Sequence, residues 1–147
     1  MIIPDINLLV YAYNSDAPHH EAAKRWWEGA LSGELMVGLP WVVLHGYLRI
    51  MTHPRVLERP LEPSDALRHI RQWLEVPLCR IIEPGEQHLA VLEGLLAEIG
   101  SAGNLTTDAV LAALAIEYQA ELCTNDADFG RFSGLRRRNP LRERAGR

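Results

Sequence analysis

The chain has 147 residues, 48% of them hydrophobic and 23% charged, with a formal net charge of −4. That length and balance fit one ordinary globular domain able to bury a sizeable core. No window approaches the roughly 18 uncharged apolar residues of a membrane span, and the start Met1-Ile2-Ile3-Pro4-Asp5 lacks the basic and apolar regions of a signal peptide, so a soluble, cytoplasmic protein is expected.

In chain order, four apolar runs are too short for helices: Met1 to Ile3, Leu35 to Leu39, Leu78 to Ile82 and Leu122 to Thr124. Helical periodicity fills the intervals over Ile6 to Tyr13, His20 to Leu31, Trp41 to Met51, Ser64 to Leu74, Glu86 to Ile99 and Thr107 to Gln119, with a short helix after Asp126. Pro40 opens the third helix, Thr52-His53-Pro54 closes it, and Thr52 to Pro63 reads as a loop. Strands alternating with helices imply a mostly parallel sheet of four to five strands with helices on both faces, a three-layer α/β/α fold. No linker or repeat divides residues 1–147, which read as one unit ending in a basic arm.

That arm, residues 131–147, holds Arg131, Arg136, Arg137, Arg138, Arg142, Arg144 and Arg147 against Glu143, a net of +6. The body before it holds 8 basic and 18 acidic residues, a net of −10. A polyanion could dock on such an arm, and a solvated tail explains it equally well. Cys79 and Cys123 stand apart and form no CxxC, which argues against a disulfide scaffold or structural zinc, and the histidines show no HExxH spacing. The only lysine is Lys24. That disfavours a phosphoacceptor receiver domain, which needs paired acids after its first strand and a lysine after its last.

Three acids stand out by position. Asp5 follows the first strand and Asp126 the last, and open parallel sheets bind ligands at the carboxyl ends of their strands. Asp108 opens a helix that is apolar on nearly every face down to Glu117, so it lies in a buried element with little polar company. Three carboxylates within ~5 Å would repel by ~3 kcal/mol per pair at an effective dielectric near 20, a cost that a divalent cation offsets. The plain alternative is helix capping, for which Asp is a favoured residue. Thr106 and Thr107 offer hydroxyl caps ahead of Asp108, and Asp128 competes with Asp126 for the same duty. Trp26 and Trp27 point about 100° apart on one helix, so one of them is a candidate partner anchor. Trp41 and Trp73 are assigned to the core or to helix packing.

The segments Pro4 to Ala12, Thr107 to Ala115 and Thr124-Asn125-Asp126-Ala127-Asp128-Phe129 together make the chain similar to the PIN-domain ribonucleases, in particular the VapC-type toxins of bacterial toxin–antitoxin pairs. Leu135 with Asn139-Pro140-Leu141 resembles the end of actinobacterial members. The resemblance implies a metal-dependent endoribonuclease that leaves a 5′-phosphate and a 3′-hydroxyl. It also implies a VapB-like antitoxin as partner and a homodimeric state. It assigns metal binding and catalysis to Asp5, Asp108 and Asp126, with Mg²⁺ or Mn²⁺ as the ion, and supporting roles to Asn7, Thr124, Asp128 and Arg49. One departure stands out. The family's third helix usually carries a glutamate three residues before an arginine; here Arg49 is present and position 46 is Gly46. Glu117 cannot substitute for it, since nine residues at 1.5 Å place it about 13 Å along the helix from Asp108. A fold that binds RNA or protein with weak or absent catalysis is therefore the alternative reading.

Overall fold

The computed structural model describes residues 1–142. Five parallel strands, β1 (Ile2–Pro4), β2 (Val37–Pro40), β3 (Cys79–Ile82), β4 (Glu121–Cys123) and β5 (Arg137–Arg138), form one sheet in the order β3-β2-β1-β4-β5. Helices α1 (Ile6–Tyr13) and α2 (His20–Leu31) lead from β1 to β2, and α3 (Trp41–Met51) and α4 (Pro63–Glu75) from β2 to β3. Helices α5 (His88–Ile99) and α6 (Thr106–Glu117) then carry the chain back across the sheet to β4. Right-handed crossovers place α1 to α4 on one face and α5 and α6 on the other, because the direction of travel along the sheet reverses after β3. The expected three-layer architecture is thus present, with every strand parallel. Among the described residues no helix is long and apolar enough to cross a membrane.

The reversal creates a switch point between β1 and β4, where consecutive helices depart to opposite faces and leave a crevice at the strands' carboxyl ends. Register fixes what lines it. Pro4 lies opposite Cys123, and the Asp5 N–H donates to the Cys123 carbonyl at 2.8 Å, so Asp5 and Thr124 emerge side by side. On the other flank Ile2 lies opposite Val37, so Asp5 falls level with Pro40 and α3 begins beside α1.

β5 carries no apolar signal, being two arginines at the sheet's edge, where charge guards against pairing with other chains. Within residues 131–147, expected as a basic arm, Arg138 reaches Glu121 at 3.0 Å and Arg136 donates to the Gln119 carbonyl. Glu143, Arg144 and Arg147 lie outside the described residues. Several other boundaries shift by one or two residues from expectation. β2 begins at Val37 because Leu35 is exposed, and α6 begins at Thr106 after Leu105, so Thr106 and Thr107 are helical residues and do not cap it.

An aromatic brace joins the four helices of one face. Trp73 of α4 donates its indole N–H to the Tyr13 hydroxyl of α1 at 2.8 Å, and its ring centroid lies 4.7 Å from that of Tyr47 and 5.5 Å from that of Trp27. The Tyr47 hydroxyl in turn meets His69 Nδ1 at 2.7 Å. On the other face α6 buries Ala109 and the run Leu111 to Ala115, with alanines permitting close approach to the sheet. At its far end Glu117 is engaged by His88 at 2.6 Å and by the Gly85 N–H at 3.0 Å, which ties it to the loop after β3, away from Asp108.

Gly46 explains how α1 and α3 sit together. A Cβ there would collide with the Ile6 Cδ1 and lie 3.0 Å from the Ile6 Cγ1, so Ile6 occupies the space a side chain at position 46 would use. Gly46→Ala therefore loses about 1–2 kcal/mol in urea unfolding, overpacking exceeding the helix-propensity gain. In an Ile6→Val background, which removes the colliding carbon, the same change is neutral or stabilising; a loss of equal size in both backgrounds contradicts this packing.

Candidate active site

Asp5 sits at the switch point, 6% exposed. Its backbone is extended, so the carboxylate turns back to cap α1: Oδ1 accepts the Ile6 N–H at 2.7 Å and Oδ2 accepts the Thr124 hydroxyl at 2.8 Å. Thr124 is itself buried, and its oxygen accepts the Asp126 N–H at 3.0 Å, so one hydroxyl couples the ends of β1 and β4. Asp126 is partly buried and caps the turn after it, accepting the Asp128 N–H on Oδ1 at 2.8 Å. Capping and convergence are thus both true of Asp5 and Asp126. Asp108 caps nothing, as Leu105 holds the cap position; it lies in the first turn of α6, partly exposed.

The electrostatics tie the three together. Burial is the main cause that pushes the Asp5 carboxyl up to about 6; the Thr124 and Ile6 hydrogen bonds oppose it, and repulsion from Asp108 and Asp126 adds to it. Burial also raises Asp108, together with the negative charges of Asp126 and Asp128, while Arg131 acts against the rise. Among the described residues no Lys, Arg or His forms an ion pair with Asp5, Asp108 or Asp126. Nor, among the described residues, are three acidic or ring-nitrogen groups drawn together as tightly as a preformed metal cage requires. The site is a set of mutually repelling, oxygen-only donors around one buried carboxylate. That suits a hard cation such as Mg²⁺, which takes one or two carboxylates and fills its other positions with water and phosphate.

The remaining candidates separate. Thr124 supports Asp5 directly. Asn7 is exposed, and the side-chain and N–H donors to Asp5 are Thr124 and Ile6, so Asn7 does not hold that carboxylate. Asp128 is exposed, 3.8 Å from Arg131. Arg49 is exposed on α3. Sequence reasoning missed Asn139, whose amide donates to Asn125 Oδ1 at 2.8 Å and fixes the loop that carries Asp126. Beside it a cavity of about 50 Å³ is lined by Thr124, Asn125, Asp126, Arg137, Asn139 and Arg142. Trp41 was assigned to packing, yet it is 46% exposed. It stands where β2 ends and α3 begins, a position at which little covers a helix's first turn.

A carboxyl raised when folded destabilises the charged state. With a folded value of about 6 against 3.8 unfolded, the folded protein holds the extra proton between those limits, and stability falls as pH rises through them. In chelator, the melting temperature of Asp5→Asn minus that of the parent therefore becomes more positive from pH 5 to pH 7.5. The change is about 1.4 kcal/mol, or about 3–6 °C for a chain of this size. A difference that stays flat with pH contradicts the burial of an ionised Asp5.

Comparison with known proteins agrees with this geometry. Residues 2–135 match the model of the PIN domain. Ribonuclease VapC33 of Mycobacterium tuberculosis is 46% identical over 143 residues, covering 97% of this chain and 100% of that protein. The crystal structure of Mycobacterium tuberculosis VapC20, a sarcin–ricin loop cleaving toxin, superposes with a TM-score of 0.66 at 19% identity, covering 92% of this chain and 99% of that one. VapBC2 from Rickettsia felis, bound to a DNA fragment from its promoter, gives a TM-score of 0.69 at 19% identity over 95% of this chain and 98% of that one. With residues 2–135 matched to the PIN domain and 46% identity running over nearly the whole length of both proteins, the chain belongs to the PIN-domain family, in the branch of the VapC ribonucleases.

Proposed function

We propose that the protein is a divalent-metal-dependent endoribonuclease that acts as the toxin of a toxin–antitoxin pair. The observation that carries this is Asp5: a buried carboxylate with no cationic partner among the described residues, facing Asp108 and Asp126 at the crevice of a parallel sheet. In a merely structural setting such a charge is costly, and a bound cation removes the cost. Mg²⁺ is the expected ion, and Mn²⁺ serves as well.

Asp5 and Asp108 would hold the ion directly, and Asp126 would bind it through water or orient the attacking water. A bound divalent ion supplies positive charge against the negative charge that develops on the phosphate. Thr124 keeps Asp5 in one rotamer and, through the Asp126 N–H, sets the spacing of the two carboxylates. Attack by water on phosphorus with departure of the 3′-oxygen leaves a 5′-phosphate and a 3′-hydroxyl. The named relatives are ribonucleases, which supports RNA as the substrate. The VapBC assemblies among the structural neighbours support a VapB-like antitoxin as the protein partner.

Gly46 bears on the number of ions. Ile6 fills the place where the family's usual glutamate side chain would begin, so the described site offers three aspartates and the peripheral Asp128. This favours one tightly held ion, and it is the observation behind the second reading, a PIN fold that binds RNA with little cleavage.

Purified protein is expected to cut single-stranded RNA with Mg²⁺ or Mn²⁺ and to stop in chelator. Asp108→Asn is expected to lower the rate at least about a hundredfold, the scale of losing charge stabilisation in a transition state. Full cleavage in chelator, or by Asp108→Asn, excludes the assignment of these acids; no cleavage by wild type with either metal supports the binding reading.

A further inference from the structure

α3 buries Val43, Leu44, Gly46, Tyr47 and Met51 against the sheet and α1, and leaves Trp41, His45 and Arg49 exposed. These three recur every four residues and so form one stripe along the helix. Its upper end is the indole of Trp41, 46% exposed, with the His45 ring 5.6 Å away at an interplanar angle of 35°. Its lower end is Arg49, about 12 Å down the helix at 1.5 Å per residue. The stripe starts at the same carboxyl edge of the sheet as the crevice, one strand away from it, because Pro40 lies level with Asp5 across the β1–β2 pair. The Ile6 contact at Gly46 then holds α3 in register with the helix that Asp5 caps. A large aromatic surface left open beside a candidate catalytic site, followed by a guanidinium, is the combination that takes a nucleobase and then a phosphate.

We propose that this stripe is the binding track for single-stranded RNA entering or leaving the acidic crevice: a base stacks on the Trp41 indole, backed by His45, and Arg49 contacts a phosphate further along the strand. The inference rests on the ribonuclease reading, adding a place and a chemistry for substrate outside the acids. It commits to a single strand, since in a duplex the bases are stacked on one another and offer no free face to an indole. It commits to nucleic acid over a protein partner because one strand offers a flat ring and an anion within the length of the stripe, and the charge at its lower end is positive in a chain whose first 130 residues carry a net −10.

The test measures binding separately from cleavage. A 5′-fluorescein single-stranded oligoribonucleotide and the same sequence as a duplex are titrated with Asp108→Asn protein in Mg²⁺, by fluorescence anisotropy, at several salt concentrations. Trp41→Ala in that background is expected to weaken single-strand binding about tenfold with an unchanged salt slope, to leave duplex binding unchanged, and to melt within about 1 °C of its parent. Trp41→Phe retains most of the affinity. Arg49→Gln lowers the slope of log K against log salt by about 0.7, the value for one phosphate contact on a single strand. Single-strand affinity equal to the parent's in Trp41→Ala overturns the proposal, as does an equal loss for duplex and single strand. Unchanged RNA affinity with lost binding of a VapB-like protein also overturns it and makes the stripe a protein interface. If wild type cleaves RNA while Trp41→Ala binds normally, the track is wrong and the ribonuclease reading stands; if Trp41 governs binding and wild type cuts nothing with either metal, the track stands and the reading fails.

Discussion

One hydroxyl organises the site. The Thr124 hydroxyl donates to Asp5, 119 positions away in the chain, and its oxygen accepts from the Asp126 N–H, bridging the two strands at which the sheet reverses its direction of growth. Without that reversal Asp5 would face a covered edge, and without the bridge its carboxylate would be free to turn toward solvent. The fold therefore produces an ionisable group that water cannot reach well, held in one orientation, with two further acids raising the cost of its charge. The proposed metal site follows from the need to neutralise it.

The rest of the structure keeps that crevice rigid. The Trp73 to Tyr13 hydrogen bond and the packed rings of Tyr47 and Trp27 clamp α1 to its neighbours, while Ile6, one residue beyond Asp5, is seated over Gly46. The same glycine removes an expected acid and brings α3 close. Loss of one carboxylate and tight helix packing are thus two consequences of a single residue. The exposed stripe of Trp41, His45 and Arg49 is positioned by that contact, so the proposed substrate track and the proposed metal site share a mechanical base.

Much of this was legible in the chain. α1, α2 and α3 have the bounds expected from periodicity, because Asp5, Pro40 and Thr52 punctuate them with strong local preferences. The burial of α6 follows from its run of alanines and leucines, and the placement of Asp5 and Asp126 from the rule that parallel sheets gather their carboxyl ends. β5 escaped notice because two arginines at a sheet edge carry no apolar period. The Ile6 to Gly46 contact, the Thr124 bridge and the Asn139 to Asn125 bond were out of reach for a different reason: each joins residues far apart in the chain, and no local pattern encodes which partner a side chain meets. Trp41 was misread because an indole in a helix next to a buried strand ordinarily packs inward, and only the register of β2 shows that it lies past the covered part of the sheet.

The central claim is that Asp5 is buried in order to bind a divalent ion, and calorimetric titration of Mn²⁺ into the protein at pH 5.5 and pH 7.5, each in two buffers of different ionisation enthalpy, tests it most directly. Because burial lifts the Asp5 carboxyl to about 6, the account predicts release from Asp5 of roughly 0.8 proton per ion bound at pH 5.5 and almost none at pH 7.5, with weaker binding at the lower pH. It also predicts a smaller release from Asp5→Asn. Binding of equal strength and without proton release at both pH values, or binding that survives intact in Asp5→Asn, would contradict it.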